Sequence, residues 1–231
     1  MADFDRFTSE HSILFDLDGT IIDSRIGIIK TLHTVVSALG HVPDEAIDLT
    51  WVVGPPLAEL MAEVIGYYGD TRVDEAIALY RRFYDTQGRL QTPVFPAMAE
   101  LIETLARSPI RIFTATSKPA SLAQTILAGN GLDRYFDRIH GAADDDTGGE
   151  KPEMIARILA QEGLSADHTL MIGDRRFDIS GAHANRIRGI GVLWGYGGEK
   201  ELTEAGADLL VTSPDGLASA IEAQLKALAR A

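Results

Sequence analysis

The sequence predicts an α/β protein, a doubly wound and mainly parallel sheet with a small helical domain inserted after the first strand. Three observations predict it. From residue 110 onward, short apolar runs alternate with segments of helical period, the pattern of strands linked by helical crossovers. A further apolar run, Ile13-Leu14-Phe15, stands apart near the amino terminus. Between the two, residues 24–90 repeat at helical spacing with no convincing strand. The core domain is therefore expected to be discontinuous, residues 1–23 and 91–231, with 24–90 as the helical insertion.

The elements follow in order. Ile13 to Phe15 is continuous in apolarity and cut off by Gly19, as for a strand buried on both faces. Ser24 is a candidate N-cap for a helix in which Ile26, Ile29, Leu32, Val36 and Leu39 recur, with Gly40 as the stop. Pro43-Asp44-Glu45 is expected to start a short helix. Gly54-Pro55-Pro56-Leu57 breaks the pattern and opens another through Val64. Val73 to Gln87 is helical by period and closed by Gly88. Two prolines stiffen residues 91–96, and a helix runs from Ala97 to Arg107. Strands are then expected at Ile110–Ala115, Phe136–His140, Thr169–Ile172, Gly189–Leu193 and Asp208–Val211. Helices are expected at Pro119–Leu127, Pro152–Gln161, Ile179–Asn185, Leu202–Ala205 and Leu217–Arg230.

Composition narrows the function. Of 231 residues 45% are hydrophobic, which allows a sizeable core. Lys and Arg number 21 against 34 acids, a formal charge of −13, which argues against nucleic acid and anionic membrane as partners. An acidic protein that binds an anion needs a local cation. There is no Cys, so neither disulfides nor thiol chemistry enter. The acidic start, Met1-Ala2-Asp3-Phe4-Asp5, lacks the apolar core of a signal peptide, and no stretch reaches membrane-span length. A cytoplasmic protein is the expectation.

The chemistry gathers where the strands end. Asp16 and Asp18 follow the first strand, at the edge where open α/β sheets bind ligands. Either both carboxylates leave one face, roughly 6–7 Å apart along the strand, or the chain twists after Asp16 and Asp18 offers its backbone carbonyl. A turn needs only one acid, and crowded carboxylates raise one another's pKa unless a cation intervenes. Hard oxygen ligands of this kind suit Mg²⁺. Thr116 and Ser117 follow the second strand and head a helix, where free N–H groups seat phosphate. The plainer reading makes one of them only an N-cap. Lys151 heads a helix at the same edge, where its charge opposes the helix dipole, so an anion is expected to face it. Asp174 follows the strand at 169–172, and Asp178 lies one helical turn on. Asp174 is expected on the metal with Asp178 behind it, or Asp178 is simply a helix-start acid.

The set Asp16-Leu17-Asp18-Gly19-Thr20, Thr116, Lys151 and Gly173-Asp174 with Asp178 closely resembles the haloacid dehalogenase-like superfamily of phosphohydrolases. The resemblance covers the whole Rossmann-like core, and the insertion is similar to that superfamily's small helical cap. Gly54-Pro55-Pro56-Leu57, Ala115 to Pro119, Met171 to Arg175 and Trp194-Gly195-Tyr196-Gly197 resemble its phosphoglycolate-phosphatase-like branch, which has 5′-nucleotidase-like members. One departure is the acidic, glycine-rich loop Ala142 to Glu150, where related sequences carry more basic residues. It bears on the substrate rather than the chemistry.

The resemblance implies a Mg²⁺-dependent phosphatase. Asp16, the Asp18 carbonyl and Asp174 hold the ion. Asp16 is the nucleophile and forms an aspartyl-phosphate, and Asp18 is the general acid and then base. Thr116, Ser117 and Lys151 grip the phosphate. The expected partner is a small phosphorylated metabolite, and the chain is expected to be a monomer or homodimer. Phosphoglycolate is the first substrate class and nucleoside monophosphates the alternative. A phospho-receiver signalling module is the rival of another class, since it too clusters acids, a hydroxyl and a Lys on a doubly wound sheet.

Overall fold

The computed structural model describes residues 2–49, 51–53 and 57–228. The chain divides into two compact units, Met1–Ile22 with Val94–Ala231, and Asp23–Pro93. In the first unit the strands are β1 (Ser12–Phe15), β2 (Arg111–Thr114), β3 (Thr116–Pro119), β4 (Gly141–Ala142), β5 (Thr169–Gly173), β6 (Arg188–Val192) and β7 (Leu209–Val211). The helices in chain order are α1 (Arg25–Ala38), α2 (Leu57–Gly66) and α3 (Val73–Thr86) in the second unit. They continue in the first as α4 (Met98–Ala106), α5 (Ala120–Gly129), α6 (Lys151–Glu162), α7 (Arg176–Ala184), α8 (Gly198–Glu204) and α9 (Pro214–Leu228). Five strands form one sheet in the order β2-β1-β5-β6-β7, and every neighbouring pair is parallel. The protein is thus α/β, a parallel sheet with helical crossovers.

The sheet winds outward from β1 in both directions. Its residues are buried along their whole length, because two strands flank it and side chains leave to both faces. Leu14 lies in register with Phe113 on one side and Met171 on the other. These three form a cluster with Met154, Ile155 and Ile158 of α6 and Ala182 of α7. By the two-residue period, Ile13, Phe15, Ile112, Leu170 and Ile172 face the opposite way, and all are fully buried. The one polar residue of β1, Ser12, exchanges a hydrogen bond with the Thr169 hydroxyl at 2.8 Å. In the second unit α3 packs on α1 and α2, and the described residues there contain no strand.

Four local expectations are corrected. Thr116 and Ser117 do not head a helix. They lie in β3, which pairs with β4, and α5 begins only at Ala120. Pro119 is the reason: it is extended itself, with ψ 134°, and disfavours helix at the residue before it. Residues 136–140 make only an isolated bridge, Arg138 to Phe113, rather than a strand. Side chains share the pairing with a few backbone bonds, such as that from the Asp137 amide to the Ile112 carbonyl at 2.9 Å. Asp137 Oδ2 accepts from the Ile112 amide at 2.8 Å, and the Thr114 hydroxyl bonds both the carbonyl and the amide of His140 at 2.8 Å. In place of a helix after Pro43, residues 44–47 form a turn, with Asp44 Oδ1 accepting from the Ala46 amide, so the side chain competes with helix formation. Ser24 occupies the position before α1 but makes no side-chain cap to it. The expected opening at residues 54–56 lies outside the described residues. Among the described residues no helix is long and apolar enough to cross a membrane.

Leu14 sits at the centre of the buried row that carries the first acid. Leu14→Ala should lower the stability of the core unit by about 3 kcal/mol. The check is a shift of the denaturant midpoint at unchanged slope.

Candidate active site

The site lies at the carboxyl ends of β1, β2 and β5, where the winding reverses on either side of β1. The Asp16 amide still bonds Ile172, and the Ala115 amide bonds Phe15. The chain then leaves the sheet. The amides of Thr20, Ile21 and Ile22 all converge on the Leu17 carbonyl, and Gly19 takes φ +87°. Asp18 therefore does not continue the strand. Its carboxylate lies off the acid cluster, with Oδ1 3.3 Å from Lys118 Nζ.

Asp16 ends β1 and Asp174 ends β5. Because the strands are parallel neighbours, both acids emerge at one edge. Asp178, in the first turn of α7, reaches the same spot. One carboxylate oxygen of each lies within 4.8 Å of the others, and all three residues are buried. Lys151, the first residue of α6, projects among them. Its ammonium donates to Asp16 Oδ1 and the Ala115 carbonyl, each at 2.6 Å, and forms an ion pair with Asp178 Oδ1, also at 2.6 Å. The anions facing Lys151 are the protein's own carboxylates.

Three buried carboxylates against one ammonium leave two formal negative charges in excess. Burial pushes the Asp16 carboxyl up to about 7, with Lys151 opposing and Asp178 adding to the rise. Burial, then Asp16 and Asp178, hold Asp174 well above the usual carboxylate range. Burial alone would lower Lys151, but the Asp16 and Asp178 carboxylates hold it above its ordinary value.

The oxygens are not equally engaged. Asp178 has Oδ1 on Lys151 and Oδ2 on the Arg175 amide at 3.0 Å. Asp174 Oδ2 accepts from the Tyr196 amide at 2.6 Å, while its Oδ1, fully buried, has no hydrogen-bond partner. An orphan buried carboxylate oxygen is costly, and here it sits among like charges. The hard donor set, the excess charge and that orphan oxygen all fit a divalent cation such as Mg²⁺.

Around the cluster, Thr116 is buried and its Oγ1 accepts from the Lys118 amide at 3.2 Å. Ser117 is not brought into the cluster. It is exposed, and its hydroxyl donates to the Gly149 carbonyl at 2.8 Å. That bond fastens the loop carrying Asp144, Asp145 and Asp146, all exposed, and Ser121 bonds Asp144 at 2.5 Å. Lys118 was missed as a site residue. Its signal was available: Thr116 and Lys118 are two apart in an extended segment, so they share a face. The loop Trp194–Gly197, singled out in the sequence only as a motif of the resembled branch, also lies against the cluster. Trp194 Nε1 donates to the Thr20 carbonyl at 3.0 Å, and a Cβ on Gly195 would collide with the Asp174 carboxylate.

The chain is similar to known proteins. The model of the haloacid dehalogenase-like hydrolase family matches residues 13–192. A 5′-nucleotidase of Pseudomonas aeruginosa is 38% identical over 191 residues, covering 83% of this chain and 86% of that protein. A phosphoglycolate phosphatase of Agrobacterium fabrum is 31% identical over 191 residues, covering 79% and 80%. The solved structure of Mycobacterium tuberculosis protein tyrosine kinase A superposes with a TM-score of 0.76 at 32% identity, covering 91% of this chain and 97% of that one.

The charge imbalance has measurable consequences. A carboxyl raised from 3.8 to about 7 on folding stabilises the fold below pH 4 and loses that contribution as pH rises towards 7. Protein stripped of divalent ions should therefore lose stability across that window, and Mg²⁺ should flatten the loss, as followed by thermal melts. In stripped protein at pH 7, Asp174→Asn should raise the melting temperature. Lys151→Met should lower stability by about 3–5 kcal/mol, because it leaves Asp16 and Asp178 uncompensated.

Proposed function

Because the chain belongs to the haloacid dehalogenase-like hydrolase family, we propose that this phosphoric monoester hydrolase works through Asp16 as nucleophile on a small phosphate ester. The observation that carries the reading is the buried cluster of Asp16, Asp174 and Asp178 around Lys151 at the strand ends. Asp16, Asp174 and the Asp18 backbone carbonyl would hold Mg²⁺. When bound, the ion supplies positive charge that lets an anionic carboxylate and an anionic phosphate approach one another.

Lys151 favours the ionised form of Asp16 against the effect of burial and orients it by holding Oδ1. An Asp16 oxygen attacks phosphorus, the ester P–O bond breaks, and an aspartyl-phosphate forms. The Asp18 carboxyl gives its proton to the departing alkoxide. As a carboxylate it then takes a proton from the water that attacks the same phosphorus and frees Asp16. Asp18 is suited to this exchange because it is the more open acid, with side-chain exposure of 16%. Thr116 and Lys151 steady the phosphoryl oxygens as charge spreads over them. Ser117 serves the neighbouring loop rather than the phosphate.

For the substrate, phosphoglycolate is supported by the resemblance of the motifs and by the 31% identical phosphatase. Nucleoside monophosphates are the second reading, favoured by the 38% identical 5′-nucleotidase. A screen of phosphoglycolate, nucleoside monophosphates and sugar phosphates decides between them by kcat/KM.

Turnover should stop with a chelator and return with Mg²⁺; full activity after chelation contradicts the metal reading. Asp16→Asn should remain folded and lower kcat by about 10³-fold or more. Activity near wild type in that variant refutes the nucleophile. Labelling of Asp16 without turnover would favour the phospho-receiver module instead.

A further inference from the structure

Asp174 is held in place by residues outside the four motifs. Its Oδ2 is fixed by the Tyr196 amide at 2.6 Å. The backbone that carries this amide lies flat on the acid. A Cβ on Gly195 would strike the Asp174 carboxylate, and one on Gly197 would strike the Asp174 carbonyl. The segment just after Asp174 is tied down in turn by Glu201 of α8. Glu201 Oε1 accepts from Arg175 Nε at 2.9 Å and from the Arg176 amide at 2.9 Å. The Arg176 amide belongs to the first turn of α7, where N–H groups have no partner within the helix. Glu201 therefore supplies a cap from a different helix. The would-be Cβ of Gly197 also approaches Glu201 Oε1 to 3.2 Å, so the same carboxylate lies against the loop that holds Asp174.

We infer that Glu201 is a positioning residue for Asp174, fixing the orphan Oδ1 for a divalent cation and thereby setting the affinity of the site for it. The inference rests on the metal reading above. Like charges push the Asp174 carboxylate away from Asp16 and Asp178, so an acid with a loosened backbone would turn from the geometry an ion needs. Groups that orient metal-binding carboxylates typically govern about 10–100-fold in affinity.

The test is calorimetric titration of the full chain with Mg²⁺ alone, without substrate. Wild type and Asp174→Asn are run as references. Glu201→Ala should bind Mg²⁺ about ten-fold more weakly. Glu201→Gln keeps an acceptor oxygen for the Arg176 amide and should recover most of the loss. Glu199→Ala, which removes an exposed acid from the same helix, should bind as wild type does. At saturating Mg²⁺, kcat of Glu201→Ala should return close to the wild-type value. If wild type binds Mg²⁺ and folded Glu201→Ala binds it equally well, the positioning role is overturned and the metal reading stands. If wild type itself fails to bind, the metal reading falls first. Should Glu201→Ala not fold, Trp194→Phe tests the other anchor of the same loop. It loses the indole bond to Thr20 and should weaken Mg²⁺ binding; unchanged affinity there overturns the inference.

Discussion

Three carboxylates buried around one ammonium is the arrangement on which the rest of this molecule depends. An isolated buried charge is several kcal/mol unfavourable, so each acid must be held by something rigid. Lys151 meets this for Asp16 and Asp178 by placing its ammonium 2.6 Å from an oxygen of each. A backbone amide meets it for half of Asp174. What is left over is one oxygen and an excess of negative charge. The fully dry rows of β1, β2 and β5 supply the apolar burial that offsets this strain, and they also fix the strand ends to which the acids are attached.

The acids differ in how they are mounted, and the difference matches the work proposed for each. Asp16 and Asp174 continue strands of a five-stranded sheet, where the backbone has little freedom. Asp178 is locked at both oxygens, so it holds Lys151 and the turn before α7. Asp18 stands in a tight turn and is more open than the others, beside Lys118. A group that must give a proton and take one back benefits from that access. The surrounding loop from Trp194 to Gly197 is shaped by contact with Asp174, which explains two glycines within three residues.

Much of this was legible in the sequence because strand ends concentrate chemistry. The run Ile13-Leu14-Phe15 betrays a central strand, so Asp16 could be placed at its end. Asp174 follows by the same logic, and a lysine at a helix start demands an anion nearby. The anion proved to be the chain's own acids. Local pattern failed where pairing was non-local or side-chain mediated. Thr116 to Pro119 is too short to distinguish a strand from a helix start by period, and its partner is the two-residue β4. Residues 136–140 read as a short strand, yet they make only an isolated bridge, and the side chains of Asp137 and Thr114 take part of the pairing. Glu201 was beyond reach, because an acid on a seven-residue helix looks like any other until the fold sets it against Arg175 and Arg176.

The loop pinned by Ser117 and Ser121 has an effect that reaches past its own contacts. It fastens three exposed aspartates to the strand that carries Thr116. A dianion approaching that strand meets the field of these acids on a chain already carrying −13. At low ionic strength the repulsion extends to about 30 Å, whereas in physiological salt it fades within about 8 Å. Encounter with a phosphate ester is therefore slowest in dilute buffer and quickens as salt is added, the reverse of an enzyme that draws in its substrate through a basic rim.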